Sequence, residues 1–545
     1  MLFYTLAISI FALVSQVKGH AVDDSSTWSG WGEGFTNRRW ASQNRDISTA
    51  NVKTLSNHCK PVHYASGGIS ATPVISGNVA YYPTWGGLLV AFDYNKCKTV
   101  WTVNVSSVVE SIAPVTPLQQ ASLGGPASRT SPQIDGDVLY FGTLVNALIV
   151  AINKNTGHVL GMTQVNPHEV AMVTMSPTVY NGKIFVGASS MEEGAATVPG
   201  YVCCSFVGNV AAFSFDKVHN NFTTLWDIPM IPDAQAEAGW AGVAVWGSQP
   251  PIDVTRNQVI FGTCNTYTYP EVRIQWQNET AKIPAVAQGL VSDSCLPKDI
   301  MQESVIAVDI DLGIVNWVHQ LPTLDAWTVA CGFQGGSGKE SFANCPEMVG
   351  PDADFGMAPA FIPGSANTPY GKDTIVIGQK NGDLYAMSAQ AGQLFWTTMT
   401  SPDGMSGGLS WGIAVDDHSV YYTAINSNGG AWTIEPSGQT TNSSAYGAAS
   451  LTTGKILWGV PVPDGGISYG PPSVVGDVIL VAKTGTNESS LVAVQKITGK
   501  ILDTWPVDGT FRGGVAIQDN SVIFGTGYGG ITAPTQAGGM NVLSV

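Results

Sequence analysis

The stretch AASLTTGKILW, residues 448–458, contains the pattern that decides the fold. Small and apolar residues lead into Thr-Gly, and a second apolar run then ends in Trp458. Because glycine accepts a positive φ without steric cost, the pattern predicts two antiparallel strands joined by a tight turn. Six further copies, some degenerate, are AFDYNKCKTVW from Ala91, AINKNTGHVLG from Ala151, AFSFDKVHNNFTTLW from Ala212, AVDIDLGIVNW from Ala307, AMSAQAGQLFW from Ala386 and AVQKITGKIL from Ala493.

Each copy follows another hairpin pattern with glycine at its turn, such as VVGDVILVAK at 474–483. Two hairpins make a four-stranded blade, and the repeat therefore predicts an all-β propeller. Two strand-like segments remain, WSGWGEGF at 28–35 and VAIQDNSVIFGTGYGG at 515–530. We expect an eight-bladed β-propeller whose last blade is closed by both termini, which leaves no open sheet edge. Tryptophans should pack between its blades at Trp101, Trp226, Trp317, Trp396 and Trp458.

The composition excludes several other classes of protein. With 62 Gly and 31 Pro among 545 residues, the chain is too rich in turn formers for a helical solenoid. A hydrophobic fraction of 44% argues against disorder. The formal net charge of −16 disfavours a nucleic-acid partner, since such partners are bound by neutralising phosphates.

The N-terminus predicts a secreted protein. The apolar run Leu2 to Val14 is too short to span a bilayer, and small residues near Gly19 suit cleavage of a signal peptide. We expect a signal peptide at 1–19, one propeller domain at 20–545, and no membrane span. Eight cysteines suit an oxidising compartment, and the chain has no C-x-x-C-H motif for covalent haem. Glycosylation sequons lie at Asn104, Asn221, Asn278, Asn442 and Asn487.

The repeat and an ordered set of motifs resemble the quinoprotein alcohol dehydrogenases, which are eight-bladed propellers with tryptophan-docking motifs. The likeness is strongest to the polyvinyl alcohol dehydrogenase-like branch and its plant and fungal relatives, and it suggests a fungal, secreted member without a cytochrome domain. It runs from about residue 28 to the end. The motifs are GWGEGFTNRRWA (30–41), SRTSP (128–132), GASSMEEG (187–194), CCSFVG (203–208), VWGSQPPIDVTRNQVIFGTCN (245–265), DAWTVACG (325–332), NCPE (344–347), GPDADFG (350–356) and GQKNGDLYAM (378–387).

The resemblance implies a site for pyrroloquinoline quinone (PQQ) on the propeller axis. Trp246 would stack on one face of the planar cofactor. Cys203 and Cys204 would form a vicinal disulfide on the other face. The alternatives are that Trp246 is a packing residue of its blade and that each cysteine pairs elsewhere.

The resemblance also implies a Ca²⁺ site and a catalytic base. The metal ligands would be Glu192, Asn265 and Asp325, because Ca²⁺ prefers carboxylate and carbonyl oxygens. Glu193 is a competing ligand candidate. Asp325 would also take the hydroxyl proton of the alcohol during hydride transfer.

Further polar residues match the family's cofactor partners. Lys380 and Arg129 would contact the quinone oxygens and carboxylates, and the Thr174 hydroxyl group would donate a hydrogen bond to the cofactor. The resemblance also places Trp411 among the cofactor-binding residues, whereas Asp352 and Asp354 lie in a family-patterned segment without an assigned role. Disulfides are expected for Cys331 with Cys345, Cys59 with Cys97, and as one option Cys264 with Cys295.

The leading functional hypothesis is a secreted oxidoreductase that transfers hydride from a secondary or polymeric alcohol to PQQ with Ca²⁺. An external electron acceptor would complete the cycle. Two departures from the family leave an alternative open: Val207 replaces a common Arg, and Cys264 replaces a common Gly. The alternative is a PQQ-free propeller enzyme, such as an isomerase, cyclase or coupling enzyme, or a binding propeller. The oligomeric state is not predicted.

Overall fold

The computed structural model describes residues 27–64, 67–123, 125–270, 296–332, 343–404, 406–485, 488–530 and 536–545. Within these residues, the chain forms eight antiparallel sheets arranged as the blades of a propeller, with three small two-stranded sheets in loops. The predicted all-β, eight-bladed fold is confirmed. The predicted signal peptide at 1–19 lies outside the described residues.

Blades 1 to 7 each take four consecutive strands. Blade 1 has Val74–Ser76, Val79–Pro83, Leu88–Asp93 and Lys98–Asn104; blade 2 has Gln133–Asp135, Val138–Gly142, Leu148–Asn153 and Val159–Gln164; blade 3 has Thr178–Tyr180, Lys183–Gly187, Asn209–Asp216 and Asn221–Pro229; blade 4 has Ile252–Asp253, Gln258–Gly262, Ser304–Asp309 and Val315–Gln320. Blade 5 has Ala360–Ile362, Thr374–Gly378, Asp383–Ser388 and Leu394–Met399; blade 6 has Ala414–Val415, Ser419–Ala424, Ala445–Ser450 and Ile456–Pro461; blade 7 has Ser473–Val475, Val478–Lys483, Ser489–Gln495 and Ile501–Val507.

Blade 8 joins the two ends of the chain. Its inner strands, Ala516–Gln518, Ser521–Gly525 and Gly538–Ser544, come from the C-terminal region. Its outer strand is supplied by Ser56–Asn57 and Val62–Tyr64, which both pair antiparallel with Gly538–Ser544. The predicted closure by both termini is therefore confirmed.

The segment WSGWGEGF at 28–35 is not a strand, so this part of the sequence prediction is wrong. It forms turns, and the backbone φ of Glu33 within it is positive, a geometry that interrupts extended structure. The segment instead winds round the propeller axis. Carbonyl groups between Trp28 and Arg39 accept hydrogen bonds from inner-strand amides of five blades, at Ile75, Ile252, Phe361, Val415 and Val474.

The repeat tryptophans dock neighbouring blades, as predicted. Each indole Nε1 donates to a backbone carbonyl of the next blade at 3.0 or 3.1 Å. Trp317 shows why the repeat needs glycine: Gly392 has φ +65°, and a Cβ there would lie 2.5 Å from the Trp317 ring. Trp505 docks in the same way on Leu55 O, at 3.0 Å. The sequence prediction missed Trp505 because its spacing from Thr-Gly is two residues longer than in the other copies.

Loops carry the remaining secondary structure. The small sheets pair Ala171–Met172 with Ser189–Ser190, Ala241–Gly242 with Thr266–Thr268, and Trp432–Ile434 with Gln439–Thr441, and Trp40–Ala41 runs parallel to the first strand of blade 7. The helices are Val105–Glu110, Pro117–Leu123, Glu192–Ala195 and Asp233–Glu237, and the 3-10 turns are Val52–Thr54, Val329–Cys331, Pro369–Gly371 and Pro463–Gly465. No helix among the described residues combines the length and apolar character that crossing a membrane requires.

Candidate active site

The chemistry-bearing loops lie on one face of the propeller. In an antiparallel four-stranded blade, the loop between strands 2 and 3 lies at the same end as the loop leading to the next blade. Glu193, Asn265 and Lys380 follow the second strands of blades 3, 4 and 5, whereas Trp246 and Asp354 lie in loops between blades. The topology therefore brings residues that are far apart in sequence to one mouth of the axial channel.

Two adjoining cavities occupy this end of the axis. The empty space inside their linings is about 610 and 690 Å³, a measure that includes solvent at their open mouths. They share Arg129, Thr174, Trp246 and Trp411. We call the first the basic chamber, because its lining includes Arg129 and Arg512, and the second the acidic chamber, because its lining includes Glu193 and Asp354.

A buried lysine organises the acidic chamber. Lys380 Nζ lies 2.9 Å from Asp352 Oδ1 and 2.7 Å from Asp354 Oδ2. Asp354 also accepts hydrogen bonds from Trp246 Nε1 at 3.1 Å and from the Asn265 backbone amide at 3.0 Å. The hydrogen bond to Asp354 fixes the orientation of the Trp246 indole. The Lys380 ammonium lies 5.7 Å from the centroid of the Trp246 ring.

The charges of this cluster shift the pKa values in opposite directions. Burial opposes ionisation of Asp354, but the Lys380 charge and the hydrogen bonds outweigh it and hold the Asp354 pKa below its ordinary value. Burial raises the pKa of Asp352 well above its ordinary range despite the same lysine. Burial works against charge on Lys380 too, but Asp352, Asp354 and Glu193 raise its pKa well above normal. Asp354 is therefore an ionised carboxylate that faces the cavity.

The adjacent residues Glu192 and Glu193 make different contacts. Glu192 is fully buried and accepts hydrogen bonds from Tyr201 OH and from the backbone amides of Ser205 and Phe206, each at 2.8 Å. Its carboxylate thereby holds the loop that carries Cys203 and Cys204. Glu193 lines the acidic chamber instead, and burial raises its pKa to about 7, although Lys380 acts against this rise.

Asn265 presents its amide oxygen as a potential ligand. Its Nδ2 group donates to Thr266 O at 2.9 Å and to Trp327 O at 3.0 Å. These bonds fix the orientation of the amide and leave Oδ1 without a hydrogen bond to any described residue. Since Asn265 lines the acidic chamber together with Glu193, it adds a second oxygen donor there.

Asp325 holds the loop at 350–354 through hydrogen bonds to its backbone. Its Oδ1 and Oδ2 accept the backbone amides of Asp352 and Ala353, at 3.2 and 2.7 Å. Among the described residues that line the two cavities, Asp325 does not occur, whereas Asp354 does. Burial raises the Asp325 pKa to about 6, although hydrogen bonding lowers it. The sequence analysis assigned no role to Asp354, because the motif DADFG alone does not show which of its two carboxylates faces the cavity.

Three disulfides join the predicted pairs Cys59–Cys97, Cys203–Cys204 and Cys331–Cys345. The peptide bond of the vicinal pair is cis. Neither of its two cysteines is among the described residues that line the cavities. Cys264 is buried in the acidic chamber and has no disulfide partner among the described residues, and its predicted partner Cys295 lies outside them.

The remaining predicted residues lie where the two chambers meet. Thr174 Oγ1 donates to Trp246 O at 3.2 Å. Trp411 packs edge-on against Trp246, with ring centroids 5.7 Å apart, and the Arg129 guanidinium lies 5.4 Å from the Trp411 ring. The sequence did not single out Trp31, Arg512 or Tyr528, which also line the basic chamber. Arg512 and Tyr528 lie in blade-8 loops, where an isolated Arg or Tyr gives no motif.

This fold is that of the quinoprotein alcohol dehydrogenases. The chain superposes on the quinohemoprotein alcohol dehydrogenase of Comamonas testosteroni with a TM-score of 0.67 at 15% identity, over 95% of this chain and 80% of that one. A europium-containing methanol dehydrogenase gives a TM-score of 0.64 at 15% identity, over 96% of this chain and 98% of that one.

Among sequences, the chain is similar to polyvinylalcohol dehydrogenases. It is 28% identical to one from Pseudomonas sp. over 72% of this chain and 54% of the relative, and 28% identical to one from Sphingopyxis sp. over 76% and 60%. The chain thus spans little more than half the length of these relatives. A family profile described as outer membrane protein assembly factor BamB matches residues 63–199.

Proposed function

We propose that this protein is a secreted alcohol dehydrogenase that uses PQQ and Ca²⁺ and oxidises a secondary or polymeric alcohol. The observation that carries the proposal is the Lys380–Asp354–Trp246 cluster, which places an ionised carboxylate and a fixed aromatic ring in one axial cavity. Electrons would pass to an external acceptor. The three disulfides are compatible with secretion.

The residues of the cavity fit both groups. PQQ is a flat, anionic quinone, and the cavity offers the indoles of Trp246 and Trp411 together with the Arg129 guanidinium. The Nε1 atom of Trp411 is buried without a hydrogen-bond acceptor among the described residues, so the cavity presents a spare donor. For the metal, Glu193 and Asn265 provide oxygen donors. Burial raises the pKa of Glu193 despite the nearby Lys380 charge, so the ionised carboxylate would be stabilised by a bound cation.

The chain's own residues suit the removal of a hydroxyl proton. When bound, PQQ supplies a two-electron acceptor for hydride, and Ca²⁺ makes it more electrophilic. Asp354 is ionised and faces the cavity, so we assign it the role of general base. Asp325 holds the loop that carries Asp354, and it acts as a positioning residue rather than as a base. Lys380 keeps Asp354 charged and correctly oriented.

The proposal is tested by reconstituting the purified protein with PQQ and Ca²⁺ and then measuring reduction of an artificial dye by primary, secondary and polymeric alcohols. Alcohol-dependent dye reduction that requires both additions is the expected result. An inactive protein that shows no bound quinone absorbance would contradict the proposal. An Arg45→Gln protein is a suitable control, because Arg45 is an exposed residue away from the cavities.

One observation favours a second candidate function. Cys264 places a thiol in the acidic chamber at a position where the family commonly has glycine. A PQQ-free enzyme could use Asp354 and Glu193 as acid and base in an isomerase, cyclase or coupling reaction. Native mass spectrometry of the secreted protein separates the two candidates, since a quinone-sized ligand supports the first and its absence from an active protein supports the second.

A further inference from the structure

The basic chamber has two cationic side chains in its lining. Arg129 and Arg512 line it together with Trp31, Trp411 and Tyr528, and no Asp or Glu occurs among its described lining residues. A buried charge without a partner is costly, and proteins normally pair it or shift its pKa. Burial lowers the pKa of Arg129, although Tyr528 acts against this shift. The chamber is therefore an electropositive pocket without an internal counter-charge.

Several donors around this chamber lack acceptors among the described residues. The unsatisfied buried atoms include Arg512 Nε, Tyr528 OH and Trp411 Nε1. Since native proteins satisfy most buried polar groups, a cluster of orphaned donors marks a place where a ligand supplies the acceptors. All three side chains line the same chamber, so their hydrogen-bonding capacity is directed at one volume.

Aromatic contacts hold these donors in position. The Arg512 guanidinium lies 4.2 Å from the centroid of the Tyr469 ring. The ring of Tyr528 stacks on Trp85 at 4.7 Å with an interplanar angle of 7°. Such contacts limit the freedom of the side chains before binding, which reduces the entropy cost of forming a complex.

We infer that the basic chamber is a carboxylate-binding site in which Arg512 and Tyr528 of blade 8 complete the partial site made by Arg129. Resting on the proposed function, the inference assigns the carboxylate edge of PQQ to this chamber and the redox-active edge to the acidic chamber. A carboxylate suits the site because guanidinium and hydroxyl donors form charge-assisted hydrogen bonds with it. Carboxylates line the acidic chamber, at Glu193 and Asp354, but do not occur among the described lining residues of the basic chamber, and this difference would favour one orientation of a planar anionic ligand. An acidic substrate could offer the same carboxylate chemistry.

Direct binding measurements test the inference without turnover. Isothermal titration of the full-length protein with PQQ and Ca²⁺ should show roughly ten- to hundredfold weaker binding for Arg512→Gln, the expected loss for a hydrogen bond to a charged group. Tyr528→Phe should weaken binding without lowering the melting temperature of the ligand-free protein, because its hydroxyl group has no partner to lose. Arg45→Gln should match wild type in both measurements.

Two further arms identify the source of the carboxylate. The trimethyl ester of PQQ lacks free carboxylates, so wild type and Arg512→Gln should bind it equally if Arg512 contacts a cofactor carboxylate. If Arg512→Gln instead leaves PQQ affinity unchanged and raises KM only for alcohols that carry a carboxylate, the chamber binds substrate, which supports the site but overturns its cofactor assignment. If neither changes in a folded Arg512→Gln protein, the inference is wrong. Binding of PQQ without alcohol oxidation would defeat only the proposed function.

Discussion

Trp246 donates a hydrogen bond from its indole nitrogen to Oδ2 of Asp354 at 3.1 Å, across 108 positions of sequence. The bond joins the aromatic wall of the cavity to the proposed base. Because Lys380 lies 2.7 Å from the same oxygen, a change at any of these three side chains should affect the other two. Both the chemistry and the stability of the site therefore depend on this oxygen.

Substitution of the two candidate bases should separate chemistry from positioning. Asp354→Asn should reduce kcat by roughly 10²–10⁴-fold with the cofactor still bound, since general bases contribute about that much. Asp325→Asn should mainly destabilise the loop at 350–354, by about 1–3 kcal/mol, because one backbone amide would lose its acceptor. Steady-state kinetics and thermal melting check both variants. An active Asp354→Asn protein beside a stable, inactive Asp325→Asn protein would return the role of base to Asp325.

Removal of the Lys380 charge should destabilise the protein strongly. Lys380→Met would leave Asp352 and Asp354 buried without their shared cation, and breaking a buried pair costs about 3–5 kcal/mol. Urea unfolding measures the loss. The matched control is Lys217→Met, which removes a surface ion pair with Asp135 and should cost less than about 1 kcal/mol. Equal losses for the two variants would show that the Lys380 pairs contribute no more than a surface ion pair does.

The neighbouring glutamates should give opposite phenotypes. Glu192→Gln should destabilise the loop at 201–206, because the Tyr201 hydroxyl and two backbone amides would lose a charged acceptor worth about 1.5–3 kcal/mol. Glu193→Gln should leave stability unchanged or raised but should weaken Ca²⁺ binding. Calorimetric Ca²⁺ titration and thermal melting of both proteins provide the comparison. Weak Ca²⁺ binding by a stable Glu192→Gln protein, with Glu193→Gln unaffected, would identify Glu192 as the ligand.

The metal-free protein should lose stability as the pH rises. Burial raises the folded-state pKa of Glu193 from 4.5 to about 7 and that of Asp325 from 3.8 to about 6. At a pH between the ordinary and the raised pKa of each group, the folded state binds more protons than the unfolded state. The free energy of unfolding therefore decreases as the pH rises through this range. Melting temperatures after chelation should be higher at pH 5 than at pH 8, and Ca²⁺ should restore stability at pH 8. A chelated protein that melts higher at pH 8 would contradict this.

Blade docking should depend on the small size of glycine under each tryptophan. Gly392→Ala would place a Cβ 2.5 Å from the Trp317 ring, in addition to the strain of φ +65°. Gly182→Ala carries only the backbone strain, since φ is +72° and nothing lies within 4 Å of an added Cβ. Gly182→Ala should cost about 1–2 kcal/mol, and Gly392→Ala should cost more. Equal melting temperatures for the two variants would show that contact with Trp317 is unimportant.

The sequence predicted the fold better than the site. The Ala…Thr-Gly…Trp repeat is a local signal that every blade needs for turn geometry and docking, so it is readable in one dimension. By contrast, which of Asp325, Asp352 and Asp354 faces the cavity depends on how the loop at 350–354 packs. Two backbone amides of that loop donate hydrogen bonds to the Asp325 carboxylate, and no spacing pattern in the sequence reveals such a contact.

Blade 8 links the proposed site to the order in which the chain is synthesised. Its outer strand comes from Val62–Tyr64 and its third strand from Gly538–Ser544, so the ring cannot close until Gly538–Ser544 has been synthesised. Arg512 lies in the loop that leads from blade 7 into blade 8, and Tyr528 lies in the loop after the second strand of blade 8. A ribosome-bound or C-terminally clipped chain would therefore hold Lys380, Asp354 and Trp246 but would lack a finished basic chamber.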